Sequence, residues 1–272
     1  MQARRILGRM AMGVLGLLVV TVAVIGGIIL YDTVFPSQRV TDFVNVTFTG
    51  SEGMTLRAYL ARPAGAGPHP ALVMVHEFFG LNEDVVKKAD VLAQEGYVVL
   101  AVDAYRNQTT ALVPRAIWLV ATTPQDRIAQ DIDAGFAYLA KLDGVDPKRV
   151  GAVGFCFGGT QVMKMSARNP DLAASVIYYG SGPFTRPDEL GVMGARGPVL
   201  GIYGEQDNSI PVSEVRAFEQ AMQSRGVRHQ VTIYPGVGHA FVKSDNIGVP
   251  GPAQQAWSEM LAFLDKSLKA RG

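Results

Sequence analysis

The stretch Val150-Gly-Ala-Val-Gly-Phe-Cys-Phe-Gly-Gly159 decides the architecture. Its first half is a short apolar run of the kind buried on both faces of a parallel sheet. Its second half sets glycines two positions before and after Cys156, where a helical pattern begins. A strand that turns sharply into a helix leaves no room for side chains at those two positions, so Gly154 and Gly158 mark such a turn. The turn lifts Cys156 above the carboxyl end of the sheet, and the helix N-terminus beneath the sulphur favours negative charge there. Cys156 is the single cysteine of the chain, which excludes an internal disulfide and any multi-cysteine metal site. The residue reads as a small buried hydrophobe or as a reactive thiol. The strand-turn-helix setting favours the thiol.

Working outward, further buried apolar runs lie at 71–75, 97–102, 175–179 and 199–203, and helix-period segments at 82–95, 126–141, 158–168 and 212–224. A last strand at 230–234 and an amphipathic helix at 253–268 follow. Strands alternating with helices predict an α/β fold: a mostly parallel, doubly wound sheet with right-handed crossovers. Residues 40–49 and 54–61 alternate apolar and polar around a turn at Gly53, which predicts an antiparallel hairpin at the N-terminal edge of that sheet. Residues 61–70 are a Pro/Gly-rich loop.

The N-terminus has a different composition. Arg4, Arg5 and Arg9 precede an uncharged apolar stretch, residues 10–30, which matches the ~20 helical residues needed to cross a ~30 Å hydrocarbon layer. The expected organisation is a cytoplasmic N-terminus (1–9), a transmembrane signal anchor (10–30), a linker (31–39) and one catalytic domain (40–272). The arginines before the span predict that the domain lies outside the cytoplasm, in the periplasm of a bacterium. The alternative is a signal peptide cleaved to release a secreted protein, but the apolar region exceeds the usual ~7–15 residues and no small-x-small site follows it.

The formal charge of +1, from 25 basic and 24 acidic residues, carries no electrostatic footprint for nucleic acid, so small molecules and the membrane are the expected partners of a monomer. No phosphate-binding glycine loop, dinucleotide fingerprint or metal-ligand motif stands out, and neither cofactor nor metal is expected.

After the Cys156 turn, a catalytic acid and a histidine should follow in that order, each in a loop at the end of a later strand. Asp207 lies after the 199–203 run, before Pro211 opens a helix, and His239 lies in the glycine-rich loop after 230–234. His69 and His229 read as surface residues. His76 ends a buried strand and could line the site, and Asp103, also at a strand end, is the alternative acid. In this scheme His239, oriented by Asp207, takes the thiol proton, Cys156 attacks an acyl carbonyl, and water cleaves the thioester. The backbone N–H groups of Phe157 and Phe78 are the expected oxyanion donors. The same residues could instead pass the acyl group to an alcohol or amine. A vestigial site would leave a membrane-tethered binding module.

Gly154-Phe-Cys-Phe-Gly-Gly159, with His76-Glu-Phe-Phe-Gly-Leu-Asn82, Asp103-Ala-Tyr-Arg106, Gly204-Glu-Gln-Asp207 and Gly238-His-Ala-Phe241, resembles the dienelactone hydrolase family over roughly residues 44–268. The resemblance implies an α/β-hydrolase fold and an enzyme that opens enol lactones or related esters with a Cys-His-Asp triad. It implies that Glu77 holds the resting thiol and moves aside when substrate binds. It also implies arginines that grip a substrate carboxylate. Arg106 stands at the first of those positions, and Lys243, which cannot make a planar bidentate clamp, at the second.

Overall fold

The computed structural model describes residues 2–36 and 38–269, and the side chains of these apart from residues 2–11 and Glu52. The side chains of Arg4, Arg5 and Arg9 and the final residues 270–272 therefore lie outside what is described. Eight strands form one sheet in the order β1-β2-β4-β3-β5-β6-β7-β8, with β1 Val46–Thr49, β2 Thr55–Ala61, β3 His69–Val75, β4 Val98–Val102, β5 Val145–Phe155, β6 Ser175–Tyr178, β7 Val199–Gly204 and β8 His229–Tyr234. The pairs β1–β2 and β2–β4 are antiparallel, and every pairing from β4 through β3 to β8 is parallel. This is the expected parallel sheet with an antiparallel N-terminal edge.

The central strands read as unbroken apolar runs because helices cover both faces. Helices α2 (Glu83–Gln94) and α7 (Pro252–Leu264) bring Val85, Leu92, Trp257 and Met260 to one face. On the other, α4 (Gln125–Ala140), α5 (Phe157–Arg168) and α6 (Val212–Arg225) contribute Ile132, Leu139, Val162 and Met222. Asn82 caps α2, its side-chain oxygen accepting from Val85 N at 3.2 Å.

Three stretches differ from the sequence reading. Residues 40–42 form a short turn before β1, because the Asp42 carboxylate accepts the Arg39 N–H and offers the backbone a local alternative to pairing. A helix absent from that reading, α3 (Val113–Thr122), precedes α4. With ten residues and a proline at its second position, it is too short for its apolar pattern to be told from a strand or loop. Finally, α1 runs unbroken from Gln2 to Val34, beyond the expected span and into the expected linker. Its segment Met12–Val34, of mean hydropathy 2.7, is long and apolar enough to cross a membrane by length and composition. The extension is held by Asp32, which is buried: its Oδ2 accepts from the Thr110 hydroxyl at 2.6 Å and lies 3.3 Å from Arg115 Nε.

Candidate active site

Strand β5 ends at Phe155 and α5 starts at Phe157, so Cys156 alone makes the turn, at φ 54° and ψ −117°. A side chain carries strain at such a φ, and the neighbouring glycines show what holds it there. A Cβ on Gly154 would fall 2.1 Å from the Gly158 carbonyl oxygen, and one on Gly158 2.1 Å from that of Val75. Helix α5 is thereby pressed against β3 and β5, and the sulphur has one direction left to point.

Two loops meet it there. Asp207 follows β7, and its Oδ1 accepts the backbone N–H groups of Ser209 (2.8 Å) and Ile210 (3.1 Å), which fixes the carboxylate with Oδ2 free to face His239. His239 follows β8, with Nδ1 2.6 Å from Asp207 Oδ2 and Nε2 3.0 Å from Cys156 Sγ. A proton on Nδ1, donated to the carboxylate, leaves Nε2 as acceptor for the thiol proton. The Asp207 side chain is fully buried, the imidazole is partly exposed, and Tyr179 packs against its ring at 5.1 Å.

Burial pushes the Cys156 thiol up to about 11, and the Glu77 carboxylate adds to the rise. The nearby backbone N–H groups of Phe157 and Phe78 pull the other way. Burial raises the Glu77 carboxyl above the usual carboxylate range, while Lys88, 3.8 Å away, opposes the rise. The thiol's neighbour at hydrogen-bond distance is His239, and the influence of Glu77 on it is through space. Lys88 escaped the sequence reading because its i,i+4 spacing from Asp84 is that of a solvated ion pair. It pairs with Asp84 at 2.7 Å, yet it is fully buried, its ammonium 4.2 Å from the centre of the Phe155 ring.

The other candidates fall elsewhere. His76 is buried and makes two backbone contacts: Nδ1 donates to the Glu77 carbonyl at 2.6 Å and Nε2 accepts from Ala104 N at 3.2 Å. Desolvation lowers its pKa to about 4, so it is neutral and structural. Asp103 accepts the N–H groups of Tyr105 and Asn107, which ties its own loop, and Asp207 is the carboxylate that reaches His239. His69 and His229 are half-buried rather than fully at the surface.

A cavity of about 640 Å³ opens over the sulphur, with Phe78, Ile117, Val120, Tyr179 and Ile210 among its walls and Gln125, Thr160, Gln161, Lys164 and Ser181 as polar points. Neither cation expected to bind substrate lies in this lining. The Arg106 guanidinium makes a two-armed contact with buried Asp131, 2.8 Å on each arm. Lys243 is exposed, and its charge reaches Glu77 only through space. The cation in the lining is Lys164, on α5 about two turns beyond the cysteine, which donates to Gln125 Oε1 at 2.8 Å. A second cavity, of about 630 Å³, lies at the opposite ends of the strands beside Arg196 and Arg228 and contains no candidate residue.

A mostly parallel sheet covered on both faces, with its candidate residues in loops at the carboxyl ends of β5, β7 and β8, is the α/β-hydrolase fold, and the chain is a hydrolase of that class. A crystal structure provisionally named a dienelactone hydrolase, from Klebsiella pneumoniae, superposes with a TM-score of 0.69 at 31% identity, covering 82% of this chain and all of that one. A protein of Escherichia coli strain K12 provisionally named carboxymethylenebutenolidase is 33% identical over 244 residues, 84% of this chain and 89% of the relative. A Synechocystis protein of the same provisional name is 28% identical over 239 residues, 80% of this chain and 95% of that one. The family model "Dienelactone hydrolase family" matches residues 56–268, and the chain belongs to that family.

Proposed function

We propose that the protein hydrolyses carboxylic esters or lactones through an acyl-cysteine intermediate, with Cys156 as nucleophile, His239 as base and Asp207 as the group that orients it. The observation that carries this reading is the linear relay Asp207 Oδ2, His239, Cys156 Sγ, at 2.6 and 3.0 Å, at the floor of a mostly apolar cavity. In the first half-reaction the thiol proton passes to His239 Nε2 as sulphur bonds to the acyl carbon. The carbonyl oxygen takes the negative charge and is met by the N–H groups of Phe78 and Phe157. Collapse breaks the bond to the alkoxide, which leaves with the proton from the imidazolium. Water, deprotonated by the same nitrogen, then attacks the thioester, and collapse returns the acid and the resting thiol. Glu77, with Lys88 beside it, keeps the thiol protonated between turnovers.

The relatives' provisional name denotes the hydrolysis of a carboxylated lactone, and a substrate of that class is the first to try. The chain is further read as held in a membrane by α1, with its N-terminus cytoplasmic and its catalytic domain outside.

The test is hydrolysis of a small activated ester and of a carboxylated enol lactone by the full chain in detergent, wild type beside Cys156→Ala. Activity that disappears in the variant supports the cysteine mechanism. Equal activity in the two proteins, or none in a folded wild type, sinks it. For the topology, a C-terminal reporter that fluoresces only in the cytoplasm should stay dark, and a bright fusion would reverse the orientation.

A further inference from the structure

Helix α3 has an unusual surface. Its only charge is Arg115, and Leu112, Val113, Ile117 and Trp118 on its outer side are 36%, 50%, 57% and 53% exposed. Ala116 and Leu119 are buried against the domain on its inner side together with Arg115, so apolar side chains occupy the outer side of the helix as well as the inner. Such a helix normally lies inside a core or an apolar solvent, and an exposed patch of this kind marks a contact surface. The same helix walls the cavity over Cys156, through Ile117, Val120 and Ala121.

What covers the patch follows from the one charge. Arg115 is turned towards α1: its guanidinium pairs with Asp32, donates to the Thr33 hydroxyl and lies 3.5 Å from the Ile29 carbonyl. Ile29, Asp32 and Thr33 belong to the last turn and a half of the apolar segment Met12–Val34. A turn rises only ~5.4 Å, so this clamp sets α3 beside the end of the segment, at the depth where hydrocarbon gives way to headgroups. Both members of the Asp32–Arg115 pair are buried, at 4% and 6% exposure, which fixes α3 to α1 rather than leaving it on a tether. The exposed tryptophan suits that depth, since its ring is apolar and its N–H is wet.

We infer that the outer face of α3 inserts into the surface layer of the bilayer that α1 crosses, and that the cavity beside it takes lipophilic esters directly from the membrane. The partner is the phospholipid surface. Because the face carries no free cation, binding draws on apolar burial and is independent of anionic lipid. The inference rests on the reading of the chain as a membrane-anchored ester hydrolase.

The chain's two tryptophans provide the test, because Trp257 is buried in the core and Trp118 is on the patch. The full chain is placed in phosphatidylcholine vesicles whose acyl chains carry bromine at carbons 6 and 7. At the ~5–10 Å depth of an interfacial helix, bromine should remove about half the emission, and Trp118→Phe should abolish that quenching. In parallel, Val113→Asp combined with Trp118→Asp should slow hydrolysis of a long-chain ester dissolved in the vesicles about tenfold while leaving a short water-soluble ester unaffected. Unquenched emission from a chain that alkali leaves in the vesicles overturns the inference and spares the anchor, including the case in which a second copy covers α3. Release by alkali overturns both. Equal rates for the double variant and wild type on the dissolved ester overturn uptake from the membrane, and a wild type inert towards the soluble ester refutes the hydrolase reading itself.

Discussion

Lys88 Nζ stands 3.8 Å from Glu77 Oε1, so the carboxylate nearest the thiol has a buried cation behind it. Burial and the negative charge of Glu77 both hold Cys156 in its protonated form, at about 11. A carboxylate beside a thiol disfavours the thiolate, so removing its charge lowers the thiol pKa, and Lys88, left without that partner, acts in the same direction. Glu77→Gln should therefore speed alkylation of Cys156 by iodoacetamide at pH 8, by about tenfold for each unit of lowered pKa. The rate-against-pH curve of the variant should lie to the acid side of wild type. A superimposable curve would remove Glu77 from control of the thiol.

Arg106 is a different case, because its two-armed contact with Asp131 leaves it outside the cavity lining. Arg106→Lys keeps a charge but cannot make two parallel hydrogen bonds to a buried carboxylate. With a quarter of the arginine side chain exposed, the loss should come to about 2–3 kcal/mol of stability, below that of a fully buried pair. Urea denaturation should register that loss, while KM for a carboxylated lactone stays within about twofold of wild type. A selective rise in KM for the carboxylated substrate, at unchanged stability, would return Arg106 to substrate binding.

If the cavity accepts a carboxylated substrate, Lys164 is the cation placed to receive it. Burial lowers its pKa, with Arg168 adding to the effect, so a bound carboxylate would offset a penalty that the empty site already carries. Hydrogen bonds to charged groups contribute roughly 1.5–3 kcal/mol, so Lys164→Met should raise KM for the carboxylated lactone by about tenfold or more. KM for a neutral ester should barely move. Equal effects on both substrates would make Lys164 a wall residue rather than a selector.

The contrast between these residues shows what a sequence can carry. Buried strands announce themselves as apolar runs, and the Cys156 turn as paired glycines, because backbone crowding at 2.1 Å admits nothing else. Asp207 and His239 were visible as candidates because each follows such a run, and the structure brings both side chains to the cysteine. Lys88 and Lys164 were not visible, because a lysine on a helix face has the same local pattern whether it meets water or a cavity wall. Helix α3 was missed for a different reason: ten residues opening with Val113-Pro114 are too few for a helical period to be told from a short apolar strand. Arg106 was placed from family position alone, and its actual partner, Asp131, is an acid in the middle of α4 that no spacing rule connects to it.

The two oxygens of Asp207 have separate tasks, and an amide in their place separates them experimentally. Oδ1 accepts from Ser209 N and Ile210 N, and Oδ2 from His239 Nδ1. In Asp207→Asn the amide oxygen can keep the loop contacts, while its NH2 group now faces Nδ1 as a donor. Nδ1 must then accept, the ring proton moves to Nε2, and the nitrogen 3.0 Å from the sulphur loses the lone pair that receives the thiol proton. Stability and KM should therefore stay near wild type while kcat falls on the order of 10³–10⁴-fold. Asp207→Ala should lose the two loop hydrogen bonds as well, and so lower the melting temperature. A kcat for Asp207→Asn within about tenfold of wild type would mean that His239 keeps its base without this carboxylate, and that the acid of the site lies elsewhere.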